Sequence, residues 1–233
     1  MSEKAENFWA GVRAEIPLLI GVFPFGLIYG ALALNAGLSK LASQMMSSIV
    51  FAGSAQFITA QLVREATPGF VIVLTIAVVN LRHMLYSASL APYLASVSTR
   101  WKILLSYLLT DEAYAPTILR YEKEGLQPFS HWFWLGAGTA LWITWQASTA
   151  VGIFLGAAIP DSWSLDFALP LTFIAMVVPV LKNRPAIAAA LAAGAVALAA
   201  HSLPYGLGLI LAALVGIIVG SFLEGRQPPK GAM

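Results

Sequence analysis

The sequence predicts an all-α protein, a polytopic bundle of transmembrane helices, and three observations lead to this prediction. Hydrophobic residues make up 59% of the 233 residues and charged residues only 10%, whereas about a quarter of the residues of a soluble domain are charged. The mean hydropathy is +0.79. The apolar residues also fall in runs of about 20, the length at which a helix crosses a bilayer. The outer surface of the chain is therefore expected to face lipid.

Eight apolar runs are long enough, or nearly so, to be read as spans in chain order. The fifth is long enough to be tilted or broken, and the sixth is short. The seventh is rich in alanine, and such small side chains let helices pack closely in lipid. The expected spans cover residues 17–35, 41–63, 69–93, 101–119, 131–159, 167–181, 185–201 and 205–223.

The orientation follows from the Lys and Arg residues between the spans, which are enriched on the cytoplasmic side of a membrane. With a cytoplasmic N-terminus, nine of the 13 basic residues lie in cytoplasmic segments, three lie outside and Arg82 lies within a span. This distribution favours both termini inside. Arg100 and Lys102 oppose it, so a count of seven spans, with one segment re-entrant, stays open beside eight.

The ends of the chain are expected to flank a single membrane domain. Residues 1–16 carry three acids and two bases before the first apolar run, an order that does not match a cleaved signal peptide. We expect residues 1–16 to be an amphipathic cytoplasmic lead-in, residues 17–223 to be one transmembrane transporter domain, and residues 224–233 to be a flexible tail.

Composition also excludes several classes of site. The chain has no cysteine and three histidines that lie far apart, so neither thiolate ligands nor a histidine metal motif is present in the sequence. No Lys/Arg cluster indicates nucleic-acid binding. We expect no metal, no cofactor and no nucleic-acid partner, and the expected surroundings are the lipid bilayer.

Arg82 is the main functional clue, because it is the one charged residue in the apolar run 72–90. An arginine at the centre of a membrane helix costs at least about 2.5–3.5 kcal/mol on insertion scales and usually faces protein or a water-filled cavity. At helical spacing Asn80 and His83 lie on one polar stripe and Arg82 on another. A structural clamp and a direct role with substrate or proton are equally compatible with this pattern.

Asp111 and Glu112 lie near the middle of the fourth span. One acid could neutralise Arg82, and the other could titrate, because burial disfavours a charged carboxylate. His83 is a further candidate proton carrier. We name Arg82, His83, Asp111 and Glu112 as candidates for a charge pair and for proton coupling, while an interfacial position of both acids stays possible.

Two stretches interrupt the apolar runs of the first and second spans. Pro24-Phe25-Gly26 is expected to kink or break the first helix, and the segment from Phe51 to Phe57, which contains Gly53, Ser54 and Gln56, is expected to break the second. Transporters often bind substrate where a helix is discontinuous, since its unpaired N–H groups are available to a carboxylate. Close helix packing explains the same residues equally well. The candidate substrate-binding residues are Pro24, Phe25, Gly26, Phe51, Gly53, Ser54, Gln56, Asn80 and Arg82.

These strings together resemble a family. The segments 24–26, 51–57, 80–86, 89–92 and 110–112 are similar to those of the AzlC (YgaZ-like) family of bacterial branched-chain amino acid permeases. The resemblance covers nearly the whole chain. It implies a multi-pass protein of the bacterial cytoplasmic membrane that exports leucine, isoleucine, valine and sometimes methionine. It also implies a small membrane partner of the AzlD (YgaH-like) family.

The sequence-based hypothesis is a transporter, not an enzyme, that exports branched-chain amino acids as the large subunit of a two-component system, with a proton as candidate coupling ion. The alternatives are a passive channel and a structural or sensory membrane subunit that transports nothing. An intramembrane hydrolase would need Ser54 or Ser148 paired with His83 or His201, and no GxSxG or HExxH motif supports it.

Overall fold

The structure is a computed structural model that describes residues 2–125, 127–156, 181, 183–203 and 207–225. All regular secondary structure in these ranges is helical, which confirms the predicted all-α class. A short 3₁₀ segment, Ala91–Leu94, follows the fifth helix. The α-helices are α1 (Glu3–Asn35), α2 (Lys40–Ile49), α3 (Gly53–Arg64), α4 (Gly69–Val79), α5 (Leu81–Leu90), α6 (Thr99–Tyr107), α7 (Asp111–Glu124), α8 (His131–Gly156), α9 (Arg184–Ala199) and α10 (Leu207–Glu224).

Membrane-spanning character is distributed unevenly among these helices. Within the described ranges, three helical segments are both long and apolar enough to cross a bilayer: Glu3–Asn35, Gly69–Leu94 and Leu207–Glu224. Helix α9 is apolar but shorter. The expected sixth span, residues 167–181, lies outside the described residues apart from Leu181, and so do residues 226–233 of the expected tail 224–233.

The second expected span is two short helices with a break between them, as the sequence predicted near Gly53. Helix α2 ends at Ile49 and α3 begins at Gly53. Phe51 has a φ of +43°, a left-handed conformation that an aromatic residue rarely adopts. Ala52 is extended and contributes no side-chain cap to α3. The break therefore leaves the N-terminus of α3 inside the protein without a side-chain cap.

The fourth expected span is broken in the same way, which the sequence analysis did not predict. Helix α6 ends at Tyr107, and α7 begins at Asp111 after the N-cap Thr110, whose Oγ1 accepts a hydrogen bond from the N–H of Ala113. Pro116 lies within α7 and does not end it.

The first span contains no such break. Helix α1 is 33 residues long and includes both Pro17 and Pro24. It also passes residue 16 without interruption, so the expected lead-in and the first span form one helix.

The helices group into two compact units. In the first unit, α1 and α8 run parallel and pack along much of their length through glycines. A Cβ added to Gly26 would overlap the Ser148 side chain, and a Cβ added to Gly30 would lie 2.5 Å from the Thr149 carbonyl oxygen. A Cβ on Gly152 would likewise meet the backbone of α1. Small residues that let two backbones approach are the usual basis of close helix packing in lipid.

The second unit contains α4, α9 and α10, of which α9 and α10 form an antiparallel pair. A Cβ on Gly216 would lie 3.1 Å from the Ala193 Cβ, and one on Gly220 would lie 3.3 Å from the Ala189 Cβ. The alanine-rich seventh segment therefore packs closely against its neighbour, while Leu191 and Leu198 on α9 are exposed.

Candidate functional site

Arg82 joins the starts of the two helices that follow the breaks. Its Nη1 donates to Asp111 Oδ2 at 2.5 Å, and its Nη2 donates to Ser54 Oγ at 2.7 Å. Asp111 is the first residue of α7 and Ser54 the second residue of α3. The side chains of Arg82 and Asp111 are 26% and 30% exposed. One guanidinium therefore connects three segments, α3, α5 and α7, at a partly accessible position.

Several polar atoms around this arginine are buried and have no hydrogen-bond partner. Among the described residues they include Arg82 Nε, Asp111 Oδ1, Asn80 Oδ1 and Gln56 Nε2. Buried polar groups are almost always paired in folded proteins, and exceptions need an explanation. Four of them on or within two residues of the Arg82–Asp111–Ser54 contacts indicate a place where a polar ligand can bind.

The N-terminus of α3 adds donors of its own. The first intrahelical bond at this end runs from the N–H of Gln56 to the Ala52 carbonyl at 3.0 Å, so the N–H groups of Gly53, Ser54 and Ala55 precede the helix ladder. A helix N-terminus attracts anions through such groups and through the helix dipole. The Gln56 side chain is fixed by Trp145, whose Nε1 donates to Gln56 Oε1 at 3.0 Å.

Aromatic side chains lie beside both breaks. Phe51 is buried, and its ring centroid lies 6.0 Å from that of Tyr107 at the end of α6. The Tyr107 hydroxyl donates to the Ser48 carbonyl at 2.5 Å and accepts from Trp142 Nε1 at 2.7 Å. The last turns of α2 and α6 are therefore tied to each other and to α8.

A second aromatic group surrounds Phe57 on α3. The Phe25 and Phe57 ring centroids are 5.0 Å apart, and Tyr29 lies 5.8 Å from Phe57. Tyr29 also stacks on Trp145 at 6.1 Å. Phe51 and the Phe25–Phe57 pair therefore belong to two separate aromatic groups, and both groups include residues at or next to the start of α3.

The remaining candidates differ in their placement. Glu112 follows Asp111 directly and is half-buried, and His83 Nδ1 lies 3.2 Å from the Asn80 carbonyl oxygen. Pro24 is exposed on the surface of α1. Gly26 faces Ser148 of α8, where any side chain would collide. The geometry gives Gly26 a packing role and brings Ser54, Arg82 and Asp111 into direct contact.

Polar side chains also join α2 to α8. Gln146 Oε1 accepts hydrogen bonds from Gln44 Nε2 at 2.7 Å and from Ser48 Oγ at 2.9 Å. The hydroxyls of Ser47 and Thr149 are hydrogen-bonded at 2.9 Å. Such bonds hold membrane helices together, and here they fix the helix that precedes the first break.

The serines considered for a hydrolase make other contacts. Ser54 accepts from Arg82, and Ser148 Oγ donates to the Trp145 carbonyl of its own helix at 3.1 Å. His201 lies at the end of α9 in the second unit, with Nδ1 3.1 Å from the Leu198 carbonyl oxygen. In the described residues neither serine is hydrogen-bonded to a histidine.

Sequence reasoning missed two residues that the structure makes noteworthy, Glu15 and Trp145. Glu15 was assigned to the lead-in, although it lies on the same helical face as Gly11, Val22 and Gly26, all of them buried. That spacing of four, seven and four residues was a usable signal. Trp145 carried no signal, because a tryptophan in an apolar span has no distinguishing neighbour pattern.

Comparisons with known proteins agree with this architecture. The family model described as AzlC protein matches residues 17–159. An uncharacterized membrane protein of Archaeoglobus fulgidus is 30% identical over 94% of this chain and 96% of its own length. The inner membrane protein YgaZ of Escherichia coli is 25% identical over 92% of this chain and 88% of its own.

A third relative carries a functional name. The branched-chain amino acid transport protein AzlC of Bacillus subtilis is 26% identical over 73% of this chain and 68% of its own length. No solved structure matches. Because the family model covers more than half of the residues and one relative is 30% identical over nearly the full length, this chain is a membrane protein that belongs to the AzlC family.

Proposed function

We propose that this chain is an exporter of branched-chain amino acids, with leucine, isoleucine, valine and methionine as substrates. One observation carries the proposal: Arg82 holds the first residues of α3 and α7 together in a setting of unpartnered polar atoms. The name of the Bacillus subtilis relative supplies the substrate class. Residues 17–223 form the transport domain.

An amino acid offers three groups to this site. Its carboxylate would bind the Arg82 guanidinium and the free N–H groups at the start of α3, both of which favour an anion. Its ammonium would bind the unpartnered Asp111 Oδ1. Its aliphatic side chain would lie against Phe51 and the Phe25–Phe57 group. The branched chain matches aromatic surfaces in shape and polarity, whereas a charged side chain would lose its hydration there.

Binding at this site has a direct structural consequence. Arg82 donates to Asp111 and Ser54, so a bound carboxylate would compete with both acceptors. Weakening those contacts would release α7 from α3. Because each helix is separated from its preceding helix by a short irregular segment, it can tilt without unwinding the other half of its span. Discontinuous helices at the substrate site are common in transporters for this reason.

The membrane setting and the partner belong to the same proposal. Nine basic residues on one side against three on the other favour a cytoplasmic N-terminus. The small partner is of the AzlD (YgaH-like) type and forms a two-subunit carrier with this chain. His83, Asp111 and Glu112 are the candidates within the site for a coupled proton.

Reconstitution tests the function. Proteoliposomes containing the chain, with and without the small partner, are loaded with labelled valine, leucine, isoleucine, methionine, lysine or glutamate, and efflux is measured with and without a pH gradient. The expected result is saturable efflux of the first four amino acids alone. Efflux equal to that of protein-free liposomes, with the partner present, would contradict the proposal.

Variants connect the function to the site. Arg82→Lys keeps the charge but loses the two-pronged geometry that reaches Ser54 and Asp111 together, so valine efflux should fall by at least about tenfold, the effect of losing about 1.4 kcal/mol. Ser87→Ala is the matched control, because Ser87 lies on the same helix and is exposed. Equal efflux from Arg82→Lys and Ser87→Ala would remove Arg82 from the mechanism.

A further inference from the structure

Glu15 is a fully buried acid with no partner. Its exposed fraction is 0%, and neither carboxyl oxygen has a hydrogen-bond partner among the described residues. It lies in the middle of α1, more than two turns after the first residue of the helix. An isolated carboxylate taken out of water and left unpaired is so costly that the group usually stays neutral. The position therefore suits a carboxylic acid and not a carboxylate.

The register of α1 and α7 places Glu112 at about the height of Glu15. Arg120 Nη2 donates to Asn7 Oδ1 at 3.1 Å, which aligns those two residues of α7 and α1. Eight residues back along α7 is Glu112, and eight residues forward along α1 is Glu15. The helices advance about 1.5 Å per residue, so antiparallel neighbours remain aligned over this distance.

The helices that pack on α1 are α2, α3, α7 and α8, and within the described residues none of them supplies a cation that is hydrogen-bonded to Glu15. Lys40 lies at the start of α2 and an exposed Arg64 at the end of α3. Between residues 132 and 156, α8 carries no charged residue. On α7, Asp111 faces Arg82, Arg120 contacts Asn7 and Glu124, and Tyr114 is hydrogen-bonded to Ser89. Tyr121 donates to the Ser130 carbonyl, and Lys123 is exposed in the last turn of α7. His131 lies at the start of α8. By the helix register, Glu112 is the acid of α7 that lies nearest in height to Glu15.

We infer that Glu15 is a proton-binding site of the transport cycle, holding a proton in this conformation and exchanging it with water through the half-buried Glu112. Two neighbouring carboxyl groups in an apolar setting cannot both ionise easily, so at least one proton stays with the pair. Glu112 also adjoins Asp111, so a change at the Arg82–Asp111 contact would alter the field on the pair. The inference rests on the proposed transport function and names its coupling ion.

Infrared spectroscopy tests the site without requiring transport. The spectrum of the full-length wild-type chain in lipid minus that of Glu15→Gln, at about pH 7 where an exposed glutamate is ionised, should contain the C=O band of a protonated carboxyl group. Glu6→Gln, which replaces an exposed acid on the same helix, should change only the bands of ionised carboxylates.

If Glu15→Gln fails to fold, Glu15→Asp serves instead, because it should shift the C=O band of the protonated carboxyl group. A carboxylate band for Glu15 would overturn the inference. Disappearance of the protonated band when sodium replaces choline would overturn it in favour of a sodium site.

Transport assays then distinguish proton coupling from substrate binding and translocation. Glu15→Gln should keep valine–valine exchange and lose valine movement driven by a pH gradient, whereas Glu6→Gln should keep both. Gradient-driven transport equal to wild type in Glu15→Gln would overturn the inference. If the wild-type chain with its partner moves no valine, the proposed function fails, and the infrared result still decides whether Glu15 holds a proton.

Discussion

Replacing Asp111 by asparagine removes the charge that faces Arg82, and the expected cost follows from the burial of the pair. Two unit charges about 4 Å apart attract by about 4 kcal/mol at an effective dielectric constant of about 20. Breaking a fully buried pair costs about 3–5 kcal/mol, and an exposed pair contributes about 0–1 kcal/mol. Arg82 and Asp111 are 26% and 30% exposed, between these limits. We expect Asp111→Asn to lower the free energy of unfolding by about 2–3 kcal/mol.

A double-mutant cycle isolates the interaction between the two side chains. Arg82→Gln alone should also be destabilising, since Asp111 Oδ1 already lacks a partner. The double variant Arg82→Gln/Asp111→Asn should be more stable than the sum of the single effects predicts, by about 2 kcal/mol. Unfolding in mixed detergent micelles, followed by tryptophan fluorescence, gives the four free energies.

The control cycle uses the Arg120–Glu124 pair on α7. These side chains are 2.8 Å apart, and Glu124 is 44% exposed, so solvent screens the pair and its coupling should stay below about 1 kcal/mol. Equal coupling energies in the two cycles, or additive effects of Arg82→Gln and Asp111→Asn, would refute the view that Arg82 clamps α7 energetically.

Three further predictions concern packing. Gly30→Leu should destabilise the first unit by at least about 1–3 kcal/mol through overpacking against α8. Gly21→Ala, whose Cβ meets nothing within 4 Å, should instead stabilise α1 by about 0.5–1 kcal/mol. Thermal unfolding compares the two variants, and equal unfolding midpoints would contradict the close packing of Gly30 against α8. Gln146→Leu should cost about 1–2 kcal/mol by removing its hydrogen bonds to α2, measured by unfolding in micelles, and an unchanged midpoint would show that these bonds do not hold α2. In the second unit, Gly216→Leu should lower the midpoint and Gly194→Ala, which has open space around its Cβ, should raise it.

The helical class and the first break could be predicted because both depend on local composition. A run of about 20 apolar residues has few alternatives to a membrane helix, and Gly53 with Ser54 marks a position where a continuous helix is weak. The second break had a local signal as well. Thr110 followed by Asp111 and Glu112 is a capped helix start with acids in its first turn. Apolar residues on both sides made a continuous span the simpler interpretation.

The behaviour of Pro24 depends on packing and could not be predicted. A proline removes one backbone hydrogen bond from a helix and often bends it, yet α1 continues through Pro24. Gly26 and Gly30 pack this part of α1 closely against α8. This tertiary packing outweighs the tendency of Pro24 to break the helix. The sequence pattern that suggested a substrate site at residues 24–26 therefore has a structural explanation in the α1–α8 contact.

The contacts of Arg82 required the structure. Sequence spacing placed one arginine and two acids in different spans, and only the fold brings Arg82 to Asp111 and to Ser54 at once. The burial of Glu15 could not be predicted either, because its sequence neighbours suggested exposure to water. Its neighbours in sequence, Arg13 and the acids before it, are typical of a water-exposed segment. Its burial depends on the tertiary packing of α1, which is most extensive with α8, a helix distant along the chain.

The central claim is that Arg82 and the start of α3 recognise the carboxylate of an amino acid, and equilibrium binding tests it most directly. Labelled valine and valine methyl ester, which lacks the carboxylate, are titrated against the wild-type chain with its small partner and against Arg82→Gln. A hydrogen-bonded charge contributes about 1.5–3 kcal/mol, so the wild type should bind valine about 10-fold to 100-fold more tightly than the ester. Arg82→Gln should lose most of this preference. Equal affinities of the wild type for valine and the ester, or an unchanged preference in Arg82→Gln, would contradict the claim.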